Sequence, residues 1–129
     1  MALGFSTTLR NARADAIATA AGASALLKIY DGTRPATGGT ATTLLATLTC
    51  NATFAGAAST GVLTLNSIAS ATAVATSTAT WFRLTTSGGT FVMDGNVSTS
   101  GSDLNLNTVS IVNGGTVSVT SATFTEGNA

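Results

Sequence analysis

Histidine is missing altogether from this 129-residue chain, and cysteine, proline, tryptophan and tyrosine occur once each. Without histidine there is no ordinary base to activate a hydroxyl or a thiol, so the many Ser and Thr residues do not read as nucleophiles. The lone Cys50 excludes an intrachain disulfide. The missing imidazoles and the scattered carboxylates leave no plausible zinc ligand set. Cys50 follows Leu48 in an apparent strand and reads as a buried core thiol.

Charge is the next scarcity. Lys plus Arg number 5 and Asp plus Glu number 5, so the formal net charge is 0, and charged residues are only 8% of the chain. That is far below an ordinary globular surface. The basic footprint of a nucleic-acid binder is absent, and copies of the chain barely repel one another. Either the surface is made of Thr, Ser and Asn, or much of it is covered by other subunits; so few charges favour the second. Apolar residues reach 44% but aromatics only 5%. Much of the apolar content is therefore Ala, which buries little area, and stability must come from close packing and partner contacts.

The carboxylates Asp15, Asp31, Asp94, Asp103 and Glu126 are dispersed and sit mostly in turn contexts. They match neither a catalytic carboxylate pair nor a calcium loop. The expectation is a non-enzymatic protein with no cofactor and no metal, and with no small-molecule ligand called for. No stretch reaches membrane-spanning length without many Thr or Ser residues. Arg10, Arg13 and Asp15 interrupt the start, so no secretory pattern is visible, and synthesis in the cytoplasm is expected, with no membrane partner.

What the chain does have is strand text with frequent turns. Residues 6–21 are the one strong helix candidate: Ser6, Thr7 or Thr8 can cap its start and Gly22 its end. Leu9, Ala12, Ala16 or Ile17, and Ala20 recur along one face. The helix is expected to pack locally rather than reach out as an arm. Strands are expected over 25–30, 42–50, 62–68 and 104–112, and again over the closing TVSVTSATF. Residues 78–97 read as a hairpin about Ser87-Gly88-Gly89, and gather Trp81, Phe82, Leu84, Phe91 and Met93. Asp94-Gly95 suits a bulge or turn. Leu104 and Leu106 are one step out of phase with Val109 and Ile111, which calls for a break near Thr108. Asn113-Gly114-Gly115 signals a second hairpin.

Seven or eight strands with short turns and one N-terminal helix predict an all-β fold. The expected form is an antiparallel β-sandwich, with a jelly roll as one version of it. Residues 1–22 form an arm and helix, and residues 23–129 the sandwich. A β-solenoid needs a regular repeat, and none is present. Trp81 and Tyr30, with Asn105 and Asn107, are the residues a sugar-binding sandwich would use, although a lone Trp in a strong strand is more often core.

The segments GFSTTLRNARADAI, LLKIYDGTRPATGG, GVLTLNSI, STATWFRLTTSGGTFVMDG, SGSDLNLNT and NGGTVSVTSATFTEGNA together resemble small structural proteins of tailed bacteriophages and prophages. The resemblance runs over nearly the whole chain. It implies a virion protein, most like a capsid decoration (cement) protein that binds the major capsid protein and clamps capsomers. Minor tail and head–tail joining roles are the alternatives within it. It brings no catalytic residues. The expected contact set is Phe5, Leu9, Arg10, Arg13, Arg34 and Phe54, in a homo-oligomeric assembly.

Overall fold

The computed structural model describes residues 4–125, and the Glu126–Ala129 tail lies outside them. The helix forms where the sequence places it. Helix α1 spans Thr7–Ala21; the Ser6 hydroxyl accepts from the Leu9 N–H, and Gly22 closes the other end at φ +71°. Its buried face differs from the expected stripe. Ala14 and Ala21 are buried, while Leu9, Ala12, Ala16 and Ala20 are exposed. The inward face is set by polar partners: Asp15 Oδ1 accepts from the Ala58 N–H at 2.7 Å, and Asn11 Oδ1 accepts from the Gly61 N–H at 2.7 Å. Ala14 lets the helix come close enough for those bonds to form. A count of apolar spacings does not see this.

Ten strands follow among the described residues: β1 Leu26–Asp31, β2 Leu44–Thr49, β3 Val62–Thr64, β4 Ala71–Thr72, β5 Ser77–Thr85, β6 Phe91–Ser98, β7 Leu104–Leu106, β8 Ser110–Ile111, β9 Thr116–Val117 and β10 Val119–Thr125. The surplus over the expected number comes from β4, β8 and β9, which are two residues each. The main sheet runs β2-β1-β5-β6-β7-β10-β3, with β8 on β5, and β4 pairs with β9 as a separate ribbon. All pairings are antiparallel except β6 with β7, which is parallel. The protein is thus mostly β with one helix, built on one curled mixed sheet, a half-barrel. The parallel pair departs from the expected all-antiparallel order. It arises because the chain loops through residues 99–103 and returns along the outside of β6 rather than turning back on it.

The curl can be read from the aromatic core. Strands β5 and β10 are three steps apart, which in a flat sheet is about 14 Å. Yet the Phe82 and Phe124 rings stack at 5.9 Å, and Phe54 lies 6.5 Å from Phe124. Gly95, opposite Phe82 in the ladder, makes room for this: a Cβ there would stand 2.5 Å from the Phe82 ring. Asp94-Gly95 is therefore inside a strand, not at a bulge or turn. The irregularity lies between Leu84 and Thr85, where Val92 is the extra residue.

Bulges decide which residues meet the core. Between β1 and β5 the register skips Thr80, so Ala79, Phe82 and Leu84 point inward while Trp81 and Arg83 take the other face. In β2 the skipped residue is Leu45, which goes into the core in place of Leu44. In β10 a skip at Thr120 puts Ala122 and Phe124 inside. The break near Thr108 is present between β7 and β8. Asn113-Gly114-Gly115 does turn, with Gly114 at φ +87°, but its flanks pair outward, β8 with β5 and β9 with β4. That arrangement buries both Ile111 and Val117.

Candidate functional site

The expected contact residues fall into three separate places. Phe5, Leu9, Arg10 and Arg13 gather at the start of α1. Arg13 lies over the Phe5 ring at 4.8 Å, and Leu9 is 44% exposed. Arg10 donates to the Thr60 carbonyl and covers Gly61. Ser59 and Val62 exchange backbone hydrogen bonds around Thr60-Gly61, both at positive φ, so this is a tight two-residue turn with a non-glycine residue in the left-handed region. The first half of α1 clamps that turn through Arg10 and Asn11. The helix is thus docked on its own chain, as expected.

Phe54 requires a correction. It was expected at an interface, but it is 4% exposed and packs beside Phe124. A large ring among small residues reads alike as an anchor or as core. The concave side of the curled sheet, short of large side chains, takes it in.

Arg34 belongs to a third cluster, on the convex face of the sheet. Here Tyr30 and Trp81 stack at 4.5 Å, and Arg83 lies over Trp81 at 5.2 Å and over Phe91 at 5.3 Å. Arg83 pairs with Asp94 through Nε–Oδ1 at 2.7 Å and Nη2–Oδ2 at 3.1 Å. Residues 32–43 cross over this face as a strap. Asp94 Oδ2 accepts from the Gly38 N–H, the Asp94 carbonyl accepts from Arg34, and the Gly39 carbonyl accepts from Arg83. Trp81 Nε1 donates to the Asp31 carbonyl and to Thr42 Oγ1, and the Asp31 carboxylate accepts from the Thr43 N–H. Arg34 thus caps the Asp94 carbonyl rather than pairing with Asp31.

The electrostatics follow from this packing. Burial alone would raise the Asp94 carboxyl, but hydrogen bonds from Arg83 and Gly38, with the charges of Arg83 and Arg34, hold it below the usual carboxylate range. Burial pushes the Tyr30 phenol up. Trp81 has no exposed surface and Tyr30 is buried, so the sugar-binding platform expected of them is covered by the strap. Asn105 and Asn107 are occupied with Ser102, Ser121, Thr116 and Ser118.

The Arg83–Asp94 pair was missed in the sequence. Its signal was present: counting outward from the Ser87-Gly88-Gly89 turn brings position 83 opposite 94, once one extra residue is allowed.

Cys50 is buried, as expected, and burial pushes its thiol up to about 11. Thiol reagents at pH 8 should leave the native protein unmodified and label it fully in denaturant. Because the folded thiol holds its proton longer than the unfolded one, Cys50 favours unfolding as pH rises from about 8.5 towards 11. Cys50→Ala should flatten this alkaline loss in thermal melts; an unchanged slope would assign the loss to other groups.

Among the described residues no group of His, Cys, Asp or Glu could hold a metal ion. No helix there is long and apolar enough to cross a membrane. No protein-family model matches the chain, and no curated protein or solved structure is significantly similar to it.

Proposed function

We propose that this chain is a non-enzymatic structural protein of a phage virion, a decoration or cement protein that binds the outside of the capsid and stabilises contacts between capsomers. The observation that carries the reading is where the charges go. Arg10, Asp15, Asp31, Arg34, Arg83 and Asp94 are each bonded to the chain's own backbone or to one another, and Arg13 lies on Phe5. Within residues 4–125 that leaves Lys28 and Asp103. The outside is a hydroxyl and small-residue surface with few charges to desolvate, suited to lying against other subunits in many copies.

In this reading the partners are the major capsid protein and further copies of the chain, and the protein reaches the virion from the host cytoplasm. The curled sheet serves as a distorted antiparallel sandwich, with Phe82 and Phe124 meeting across its interior. The attachment patch is the exposed start of α1, centred on Leu9. Arg34 and Phe54 drop out of it, because each is engaged inside the chain.

Two measurements test the proposal. Electron microscopy of intact particles should place many copies over the capsid; a few copies at one end would move the reading to a tail or head–tail joining protein. Leu9→Asp should lower occupancy on particles at least tenfold. It should shift stability by no more than about 0.5 kcal/mol, since the side chain lies outside the core. Full occupancy of the variant would remove Leu9 from the contact.

A further inference from the structure

The two edges of the main sheet are not treated alike. Strand β3 is covered along its outer side by the chain that precedes it. Ser59 and Val62 exchange hydrogen bonds, Ala55 bridges to Leu65, and the Asn66 N–H reaches the Phe54 carbonyl. Strand β2 has cover only at its start, where the Leu45 carbonyl accepts from the Val74 N–H at 2.8 Å.

The direction of the remaining β2 groups follows from the ladder. The Cys50 N–H donates to the Ala25 carbonyl, and the register pairs Leu26 with Thr49, Leu27 with Leu48 and Lys28 with Thr47. In an antiparallel ladder, bonded and non-bonded pairs alternate. The pair Ala25–Cys50 is bonded, so Leu27–Leu48 is bonded as well, and Thr49 and Thr47 direct their N–H and C=O groups away from β1. The outward Leu45 carbonyl fits the same alternation. The backbone groups of Thr47 and Thr49 take no partner among the described residues.

This edge also lacks the usual protection. The sequence of β2, LLATLT, carries no charge and no proline, and its only irregularity is at Leu45, before the open part. We infer that the open edge of β2 is a self-association surface, and that its occupant is the same strand of a second copy of this chain, running antiparallel. A two-fold axis through Leu48 sets Thr47 against the partner's Thr49, and Thr49 against the partner's Thr47. Each pair then exchanges both N–H and C=O.

Self-complementarity argues for a second copy, because an isologous contact needs one patch that matches itself. Charge argues for it too: the chain is neutral and no like charges are brought together on β2. Val74 and Val112, 60% and 59% exposed, flank the start of this edge. They are held side by side by the bonds of Ala73 with Gly114 and Gly115. They supply an apolar rim that a paired copy covers.

The inference deepens the assembly reading by naming a surface. It is tested on the isolated protein, so its failure is separable from failure of attachment to particles.

Thr47→Pro is the direct test. It removes an outward N–H and costs no bond of the β1–β2 ladder, which is where proline is tolerated in a sheet. Sedimentation from low micromolar to millimolar concentration should show the wild type moving from the 12.6 kDa monomer to twice that mass. Thr47→Pro should stay monomeric with its melting curve kept. Should Thr47→Pro not fold, Thr49→Lys places a charge on the same edge without touching the ladder, and should weaken dimerisation at least tenfold. In the wild type, exchange of the Thr47 and Thr49 amides should slow as concentration rises. A wild type that stays monomeric at millimolar concentration overturns the proposal. So does a dimer that survives both substitutions, and so does a dimer whose Thr47 and Thr49 amides exchange freely; the last two results assign association to another surface.

Discussion

Asp94→Ala is expected to destabilise the folded chain by about 3–5 kcal/mol, the largest single effect in the molecule. The Asp94 and Arg83 side chains are only 1% and 13% exposed. Removing the carboxylate therefore strands a largely buried guanidinium between Trp81 and Phe91. It also leaves the Gly38 N–H without its acceptor, so one substitution releases both the sheet face and the strap of residues 32–43. Asp94→Asn keeps an acceptor in place and should lose less. Chemical denaturation gives the stability, and Trp81 fluorescence reports the strap, because the indole is covered only while the strap is seated. A loss below about 1 kcal/mol would put the pair in the class of ordinary surface ion pairs.

The same carboxylate sets an acid limit. Its folded pKa lies below its ordinary value, so its contribution is complete above about pH 4 and is lost as pH falls through the folded value. Arg83, Arg34 and Tyr30 are the charged or titratable groups that bear on it, and none of them changes charge in that range. Wild-type stability should therefore fall on acidification below pH 4, and the Asp94→Ala curve should be flatter there. Parallel curves would show that other carboxylates set the acid limit.

Gly95→Ala is expected to cost about 1–3 kcal/mol, as for overpacking a filled core. The reason is not backbone conformation. The added methyl would meet the Phe82 ring at 2.5 Å, and that ring is already stacked on Phe124 and cannot swing away freely. Phe82→Leu in the same chain clears the space, so the double variant should be less destabilised than the sum of the two singles. A double-mutant cycle measured by chemical denaturation checks this. Strict additivity would mean that the sheet relaxes around the methyl and that Gly95 is not needed for the curl.

These two expectations mark where sequence reading and structure part. The helix was legible to within a residue, because its limits depend on Ser6 and Gly22, side chains and backbone adjacent to the ends they cap. The hairpin about Ser87-Gly88-Gly89 was legible for the same reason. The hairpin's two faces were not. Phe82 and Leu84 do fill the core, but the opposite face meets neither the helix nor a second subunit; the strap of residues 32–43 closes over Trp81 and Arg83. The distinctive Asp-Gly-Thr-Arg-Pro stretch was noticed, and its role was not, because its partner Asp94 lies 60 residues away from Arg34. Phe54 was misplaced for a related reason: burial of a lone ring depends on which strands curl around it.

The sequence alone determined the composition of the problem: strand-forming text broken by short turns, one capped helix, almost no free charge, and no histidine to build chemistry on. These are local or summed properties, so they can be read without coordinates. Only the tertiary structure decided that one sheet curls into a half-barrel and that β6 and β7 run parallel. It alone decided that the few charges are turned inward on the chain, and that one sheet edge is covered while the other is open. The physical reason is the bulge. One extra residue at Thr80, Leu45 or Thr120 sends every later side chain in its strand to the opposite face. Whether that residue is extra depends on the neighbouring strand, which the strand's own sequence does not contain.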